Sequence, residues 1–387
     1  MPDAAARSGA EASPTTGRKC LPMTHTQRSD SSTIHHRLPD ESPDSPETAW
    51  FGRLNPFEKQ ETKRQVEFRR RHWPELPDGV WAGSAKLVHT YPHILPESHG
   101  QENLYPATRD RALAYLSTND IALHREFANL RSSQVCCLNF LFPLRTDLEA
   151  AVVALRPLLT GVVQVEEIEF EYTGPCGATH WLGEPSGGKR GQNRTSVDAA
   201  IRWHDTGRQS RLTLVEWKYT EKQFGTCGGF ASDGNMQKDG CRQRAAGAEL
   251  PWTCYLASAQ NDRTRRRYWE HLGSAGIDVR GYDGDHCPFI GPFYQLVRLH
   301  LLAAYCAQEK EAEKVDVAAV HFQGNAALEE RPRELEVLGS SVTEAWQHLL
   351  LRPDDFRVCT AESLAAGVRS SGAFSDLAGY LGQRYGV

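Results

Sequence analysis

The sequence predicts an α/β domain with a mixed central β-sheet flanked by helices. Three observations predict it. The run VVQVEEIEFEY, which follows Gly161, alternates with period two and reads as a strand. Two further strand-like runs, SVDAAIRWH and RLTLVEWKY, are separated only by the turn TGRQS. The amphipathic helical pattern PFYQLVRLHLLAAYCAQEK then leads to a fourth apolar run, VDVAAVHFQ. With the helical patterns that precede Gly161, the order is helix, three strands, helix, strand.

Taken in order, residues 1–48 are rich in Ser, Thr, Pro, Asp and His without apolar periodicity, and are expected to be a disordered tail. His35 and His36 in this tail are read as solvated. Residues 49–108 form a helical extension, in which PFEKQETKRQVEFRRRHW is a charged helix followed by a Pro-rich break. The main domain spans residues 109–369. Its first part, to about residue 144, is expected to be helical, with Pro143 marking the end. TDLEAAVVALRPLL is a compact amphipathic helix whose Asp147 and Glu149 lie near its positive end. In the first strand, alternation puts Ile168, Phe170 and Tyr172 on one face and Glu167, Glu169 and Glu171 on the other. Residues 220–288 read as an irregular insertion. Ser341 and Glu344 form a capping box that opens the helix SVTEAWQHLLL. Residues 370–387 are a tail or a further helix.

Composition bounds the function. The chain has 387 residues, of which 40% are hydrophobic and nine are Trp. That excludes a wholly disordered protein and suggests two domains, or one with appendages. A formal net charge of −5 means that any nucleic-acid surface must be local. The ten cysteines include no CxxC pair, and their spacings fit no zinc or iron–sulfur pattern, so neither cofactor is expected. They read as reduced thiols of a cytoplasmic protein. The N-terminus has no apolar signal core, and no stretch is apolar for long enough to span a bilayer.

The third strand carries the chemistry. In LTLVEWKY, Val215, Trp217 and Tyr219 face one way, and Glu216 and Lys218 face the other. Charges on an inner strand are paired or bind a metal. On the preceding strand Asp198 stands in similar apolar company, one short turn away. Two carboxylates offer the oxygen ligands that Mg²⁺ or Mn²⁺ takes, with the Trp217 carbonyl as a third, and a lysine beside them can stabilise charge on a phosphate. On periodicity alone, a buried Glu216–Lys218 ion pair accounts for the same residues.

SVD at 196–198 and EWK at 216–218 resemble the D…(D/E)-x-K core of the PD-(D/E)XK nuclease superfamily, with Val197 where the motif's name has proline. More locally, RSSQVCCLNFLFPL, FEY, TSVDAAI, VEWKYTE, YQLVRLHLLA and VTEAW resemble a bacterial clade of restriction endonuclease-like proteins over about residues 125–365. The resemblance implies a restriction-endonuclease-like core and a Mg²⁺-dependent endonuclease acting on nucleic acid, double-stranded DNA above RNA. It implies Asp198 and Glu216 as metal ligands and Lys218 as the catalytic cation. A homodimer is left open. The rival reading is a catalytically inactive nucleic-acid-binding protein that retains the fold; relatives of that kind often lose one of the three residues, and here all are present.

Further candidates follow. Glu171, at the end of the first strand, is a candidate for an additional metal ligand. Gln134 and Asn139 are polar positions in an apolar helix, where satisfied core groups are the favoured reading and contact with the site the alternative. Gln295 opens the late helix, at a place where many superfamily members carry a polar residue facing the site. Arg263, Arg265, Arg266 and Arg267 in NDRTRRRYWEHL are candidates for phosphate contacts. GEPSGGK at 183–189 fits the first part of a P-loop, but Arg190 stands where Ser or Thr is needed and a strand follows, so no nucleotide is expected.

Overall fold

Strand alternation and two amphipathic helix faces dictate a layered structure, and the computed structural model is layered in this way. It describes residues 33–39, 48–81, 83, 87–185, 187, 193–242, 254–257, 265–280, 282, 286–330 and 338–387. The disordered-tail reading for 1–32 and 40–47 lies outside these residues.

Eight strands are described: β1 (Thr33–His35), β2 (Gly79–Val80), β3 (Val88–Tyr91), β4 (Val162–Tyr172), β5 (Val197–Asp205), β6 (Ser210–Trp217), β7 (Lys314–His321) and β8 (Phe356–Thr360). Strands β4 to β8 form one sheet in sequential order. The pairs β4–β5 and β5–β6 are antiparallel, and β6–β7 and β7–β8 are parallel. Among the described residues, the α-helices of seven residues or more are α1 (Pro56–His72), α2 (Arg109–Thr118), α3 (Ser133–Leu141), α4 (Leu148–Leu155), α5 (Phe293–Gln308), α6 (Val342–His348), α7 (Ala361–Ser371) and α8 (Ser375–Tyr385). Helix α5 is the crossover that parallel pairing of β6 with β7 requires. The result is a mixed sheet flanked by helices, a restriction-endonuclease-like α/β core.

Each face of the sheet buries its own cluster. Phe140, Leu155, Ile168, Trp203, Val215, Trp217, Leu364 and Tyr385 pack on one side. Leu212, Leu214, Phe293, Leu299, Val317 and Trp346 pack on the other. The alternation in β6 therefore separates Val215, Trp217 and Tyr219 from Leu212 and Leu214 as the sequence requires. Helix caps follow local chemistry. Asn55 and Glu58 make a reciprocal capping box at α1. At α6, Ser341 caps Glu344 N, while the Glu344 carboxylate reaches back to Ser340 N rather than to Ser341.

Several expectations change. The tail is not free at its end: β1 pairs in parallel with β3. His36 is buried there, stacked on Tyr91 at 4.3 Å with its Nε2 2.9 Å from His89 Nδ1. Sequence could not reveal this, because the strand has three residues and its partner lies far along the chain. The helical region 109–144 is broken between Thr118 and Ser133, where Asn129 instead bridges to Ile94. A fifth strand, β8, extends the sheet; at five residues it was too short to show a period. Helix α8 is part of the first core, through Leu377, Leu381 and Tyr385, and packs against α1. Asn139 is a satisfied core group: it accepts from Tyr105 N at 2.7 Å and donates to Asn103 O and Tyr385 Oη.

Candidate active site

Register brings three acids level. Phe170 pairs with Ala199 and Tyr172 with Val197, which sets Glu171 opposite Asp198. Ala199 pairs with Val215 and there the β5–β6 ladder stops, so Asp198 and Glu216 come next in the same register. Glu171, Asp198 and Glu216 thus form one row across β4, β5 and β6 at an end of the sheet where the central strands part. The parting leaves the Trp217 N–H without a ladder partner, and Asp198 Oδ2 accepts it at 2.6 Å. A side chain replaces the next rung of the ladder and is fixed by doing so.

Glu216 is buried and shares one oxygen between two partners. Lys218 Nζ lies 2.8 Å from Glu216 Oε1, and Gln295 Nε2 donates to the same atom at 2.6 Å. Gln295 belongs to the first turn of α5, and its Oε1 accepts from Gly225 N at 2.7 Å. The Lys218 N–H continues the parallel pairing by donating to Val320 O, and its ammonium lies 5.8 Å from the Phe224 ring centroid.

Electrostatics follow from this crowding. Shielding from water, then repulsion by Glu216 and Glu171, pushes the Asp198 carboxyl well above the usual range, against the pull of Lys218 and the Trp217 N–H. Burial alone would lower the Lys218 pKa, but Glu216, Glu221 and Asp198 outweigh it and hold it above the ordinary lysine value. Glu221 was not singled out from sequence. It lies just past the strand, where it also accepts the Tyr219 N–H; the only signal was an acid three residues after Lys218.

Glu171 departs from simple alternation. Its φ is 49°, in the left-handed region that a non-glycine residue enters at a cost. The turn takes Tyr172 off the face of Ile168 and Phe170 to pack with the second cluster. Glu171 itself leaves the face of Glu167 and Glu169. Its Oε1 accepts from Gln134 Nε2 at 2.6 Å, and Oε2 accepts from Ser196 Oγ at 3.3 Å. Gln134 thereby touches the row of acids, while its own Oε1 accepts from His124 N.

The arginine cluster is divided. Arg263 lies outside the described residues. Arg265 is exposed and Arg267 half-buried, and both pair with Glu270. Arg266 is buried, donating to Gly183 O at 3.2 Å. It lines a cavity of about 440 Å³ with Arg298, Tyr255, Tyr294 and Gln295, so that this cavity opens beside the partner of Glu216. Of the P-loop-like segment, residues 186 and 188–190 lie outside the description. Within it, Glu184 is a buried anchor that accepts from Thr195 N and from Tyr268 Oη.

Asp198 and Glu216 bring carboxylate oxygens to one place beside a cationic nitrogen, a set suited to a hard cation or to a phosphate rather than to a soft metal. Among the described residues, no group of three or more His, Cys, Asp or Glu side chains stands ready to hold a metal ion. No helix among the described residues is long and apolar enough to cross a membrane.

The comparisons agree with the architecture. No curated protein and no solved structure matches the chain. The pattern that defines the family described as Restriction Endonuclease associating with ARP matches residues 56–386, from the start of α1 to the end of α8. With that match over most of its length, the chain belongs to this restriction endonuclease family.

Proposed function

We propose that the protein is a metal-dependent nuclease of the PD-(D/E)XK type that hydrolyses phosphodiester bonds, those of DNA above RNA. The observation that carries the proposal is the row Glu171–Asp198–Glu216 with Lys218 bound to its inner member. Three acids, Glu216 buried and Glu171 and Asp198 half-buried, are answered by one lysine, and a divalent cation fits that deficit of positive charge. Asp198 and Glu216 would hold it, with the Trp217 carbonyl and Glu171 as further oxygens. When bound, Mg²⁺ or Mn²⁺ polarises a phosphate oxygen and acidifies a water.

The chain's own residues supply the rest. Gln295 and the Trp217 N–H orient the two carboxylates. Lys218 remains an ammonium at neutral pH, so it donates hydrogen bonds to developing negative charge and does not take up a proton. Gln134 fixes Glu171. The cavity beside Gln295, with Arg266 and Arg298 in its wall, offers positive charge to a backbone phosphate next to the cut. By the family's name, an association with ARP extends to this chain as part of the proposal.

The test is cleavage. Purified protein should nick or cut plasmid, linear duplex or single-stranded DNA in Mg²⁺ or Mn²⁺ and not in EDTA, with Asp198→Ala and Glu216→Ala each inactive. Nicking that persists in EDTA, or in both variants, would refute the centre. A protein that binds DNA but never cuts any substrate favours the inactive binding protein.

A further inference from the structure

Four cysteines gather at a place that the proposed chemistry does not use. Cys227, Cys241, Cys254 and Cys287 all line a single cavity of about 20 Å³ in the lobe formed by residues 220–288. That is room for about one water molecule or one ion. They reach it from four separate stretches of chain, and every one of their six pairings is close enough for one sulfur's charge to act on the other. A backbone bond from Cys287 N to Cys241 O, 2.8 Å long, ties two of the stretches together.

In exposure these four differ from the thiols of the two cores. Cys136, Cys137, Cys306 and Cys359 are buried within the two cores and pack as small hydrophobes. The cavity cysteines are half-buried instead. Three of their sulfurs receive hydrogen bonds, as Cys136 and Cys306 do in the cores. Cys227 Sγ accepts from Phe230 N at 3.4 Å and from the Gly229 backbone, Cys287 from the Phe289 backbone, and Cys241 from the Asn235 side chain. Donors aimed at sulfur orient a thiolate and stabilise its charge once a metal has displaced the proton. The lobe has reason to need a staple. Among its described residues it holds no strand, and its helices (Gly228–Ala231, Lys238–Arg242 and Tyr268–His271) are one turn each. So little regular structure buries little surface, and small irregular units are commonly held by a metal or by disulfides.

We propose that Cys227, Cys241, Cys254 and Cys287 form a tetrathiolate site that binds one soft metal ion, Zn²⁺, and orders this lobe beside the row of acids. Soft sulfur donors select such a metal over the hard cation suited to Asp198 and Glu216, so the two sites do not compete. Among the described residues no group of three or more His, Cys, Asp or Glu side chains already stands in ligating geometry. The ion draws the four sulfurs together as it binds, so metal affinity and the order of the lobe are one free energy. The size of the cavity argues for a single ion; an iron–sulfur cluster on the same four thiolates is the other source of the same chemistry.

The experiment uses the whole chain, purified under anaerobic and reducing conditions without chelator. Elemental analysis should find about one zinc per chain in a colourless protein. Iron with matching sulfide in a brown protein supports the tetrathiolate site with a cluster in it. A mercurial thiol reagent should release the metal from the wild-type protein, which requires no variant to fold. Cys254→Ser and Cys287→Ser should each lose the metal, whereas Cys176→Ser and Asp198→Asn should keep it. That last variant separates this site from the proposed nuclease centre. The proposal is overturned if neither metal is present after purification or reconstitution. It is also overturned if the metal survives both cysteine variants, or if intact mass shows the four sulfurs paired as disulfides.

Discussion

Asp198→Asn separates charge from shape. The asparagine keeps an oxygen for the Trp217 N–H, which the aspartate accepts at 2.6 Å, and changes little in volume. It removes one charge that burial and the repulsion of Glu216 and Glu171 oppose more strongly than Lys218 and the Trp217 N–H favour it. Without metal the variant should therefore be more stable than the wild type, by on the order of 1–2 kcal/mol, the gain expected when a strained functional group is neutralised. In a melting curve that is a rise of about 2–4 °C. The dependence on pH has a definite sign. A carboxyl whose folded pKa is raised holds its proton longer in the folded state than in the unfolded chain. Metal-free wild type should thus lose stability as pH rises from about 4, the ordinary aspartate value, through the raised pKa of Asp198. The variant should lack this decline. Mg²⁺ reverses the order: at a concentration about 100 times its Kd it adds about 2.7 kcal/mol to a protein that binds it. The wild type should gain this and the variant should gain much less. Cleavage by the variant should fall by about 10³-fold or more. Differential scanning fluorimetry across pH, with and without Mg²⁺, reads the first three effects, and a nicking assay reads the last. A variant that is destabilised without metal, gains as much from Mg²⁺ and still cuts would refute the charge argument as a whole.

Further outcomes follow from the same contacts. Lys218→Ala should bind DNA and metal with little change yet lose turnover, because its part is played in the transition state; equal single-turnover rates would return the Glu216–Lys218 contact to a plain ion pair. Gln295→Leu removes one of the two partners of Glu216 Oε1 and strips Gly225 N of its acceptor. It should weaken activity about 10–100-fold with a shifted Mg²⁺ dependence, and an unchanged metal titration would show that Gln295 does not orient the carboxylate. Arg265→Ala with Arg267→Ala should flatten the salt dependence of DNA binding by at most about two units of slope. Arg266→Ala, in contrast, should lower the melting temperature, since that guanidinium is buried against Gly183 O.

The sequence displayed the sheet where alternation is long. Runs of eight residues or more, as in β4, β5, β6 and β7, carry a period that survives inspection, whereas β1 and β8 are three and five residues long and do not. The shared face of Glu216 and Lys218 was legible for the same reason. Glu171 was harder. Its level with Asp198 depends on the register of β4 against β5, and its direction depends on a left-handed φ that no pattern in FEY announces. The arginines were legible as a cluster but not by role, because whether a guanidinium faces water or a carbonyl is decided by tertiary packing. The four cysteines of the insertion show no motif at all. Only folding brings together stretches that lie as far apart as Cys254 and Cys287.

The contacts beneath Lys218 reach unusually far along the chain. Its neighbour Tyr219 donates to Glu61 and accepts from Gln65, and the same Gln65 amide donates to the Arg384 carbonyl. A helix near one end of the chain and a helix near the other thus meet at the residue after the lysine. Closing so large a loop is entropically expensive and brings no return until it is complete. The sheet can assemble from hairpins and a crossover before that closure, and it can persist after the closure reopens. Lys218 is therefore anchored beside one of the least local contacts of the fold, completed only when the chain closes on itself. Mild heat or denaturant should silence such an enzyme while its strands are still paired. The loss of order would begin at the clasp between α1 and α8, not in the sheet that carries the acids.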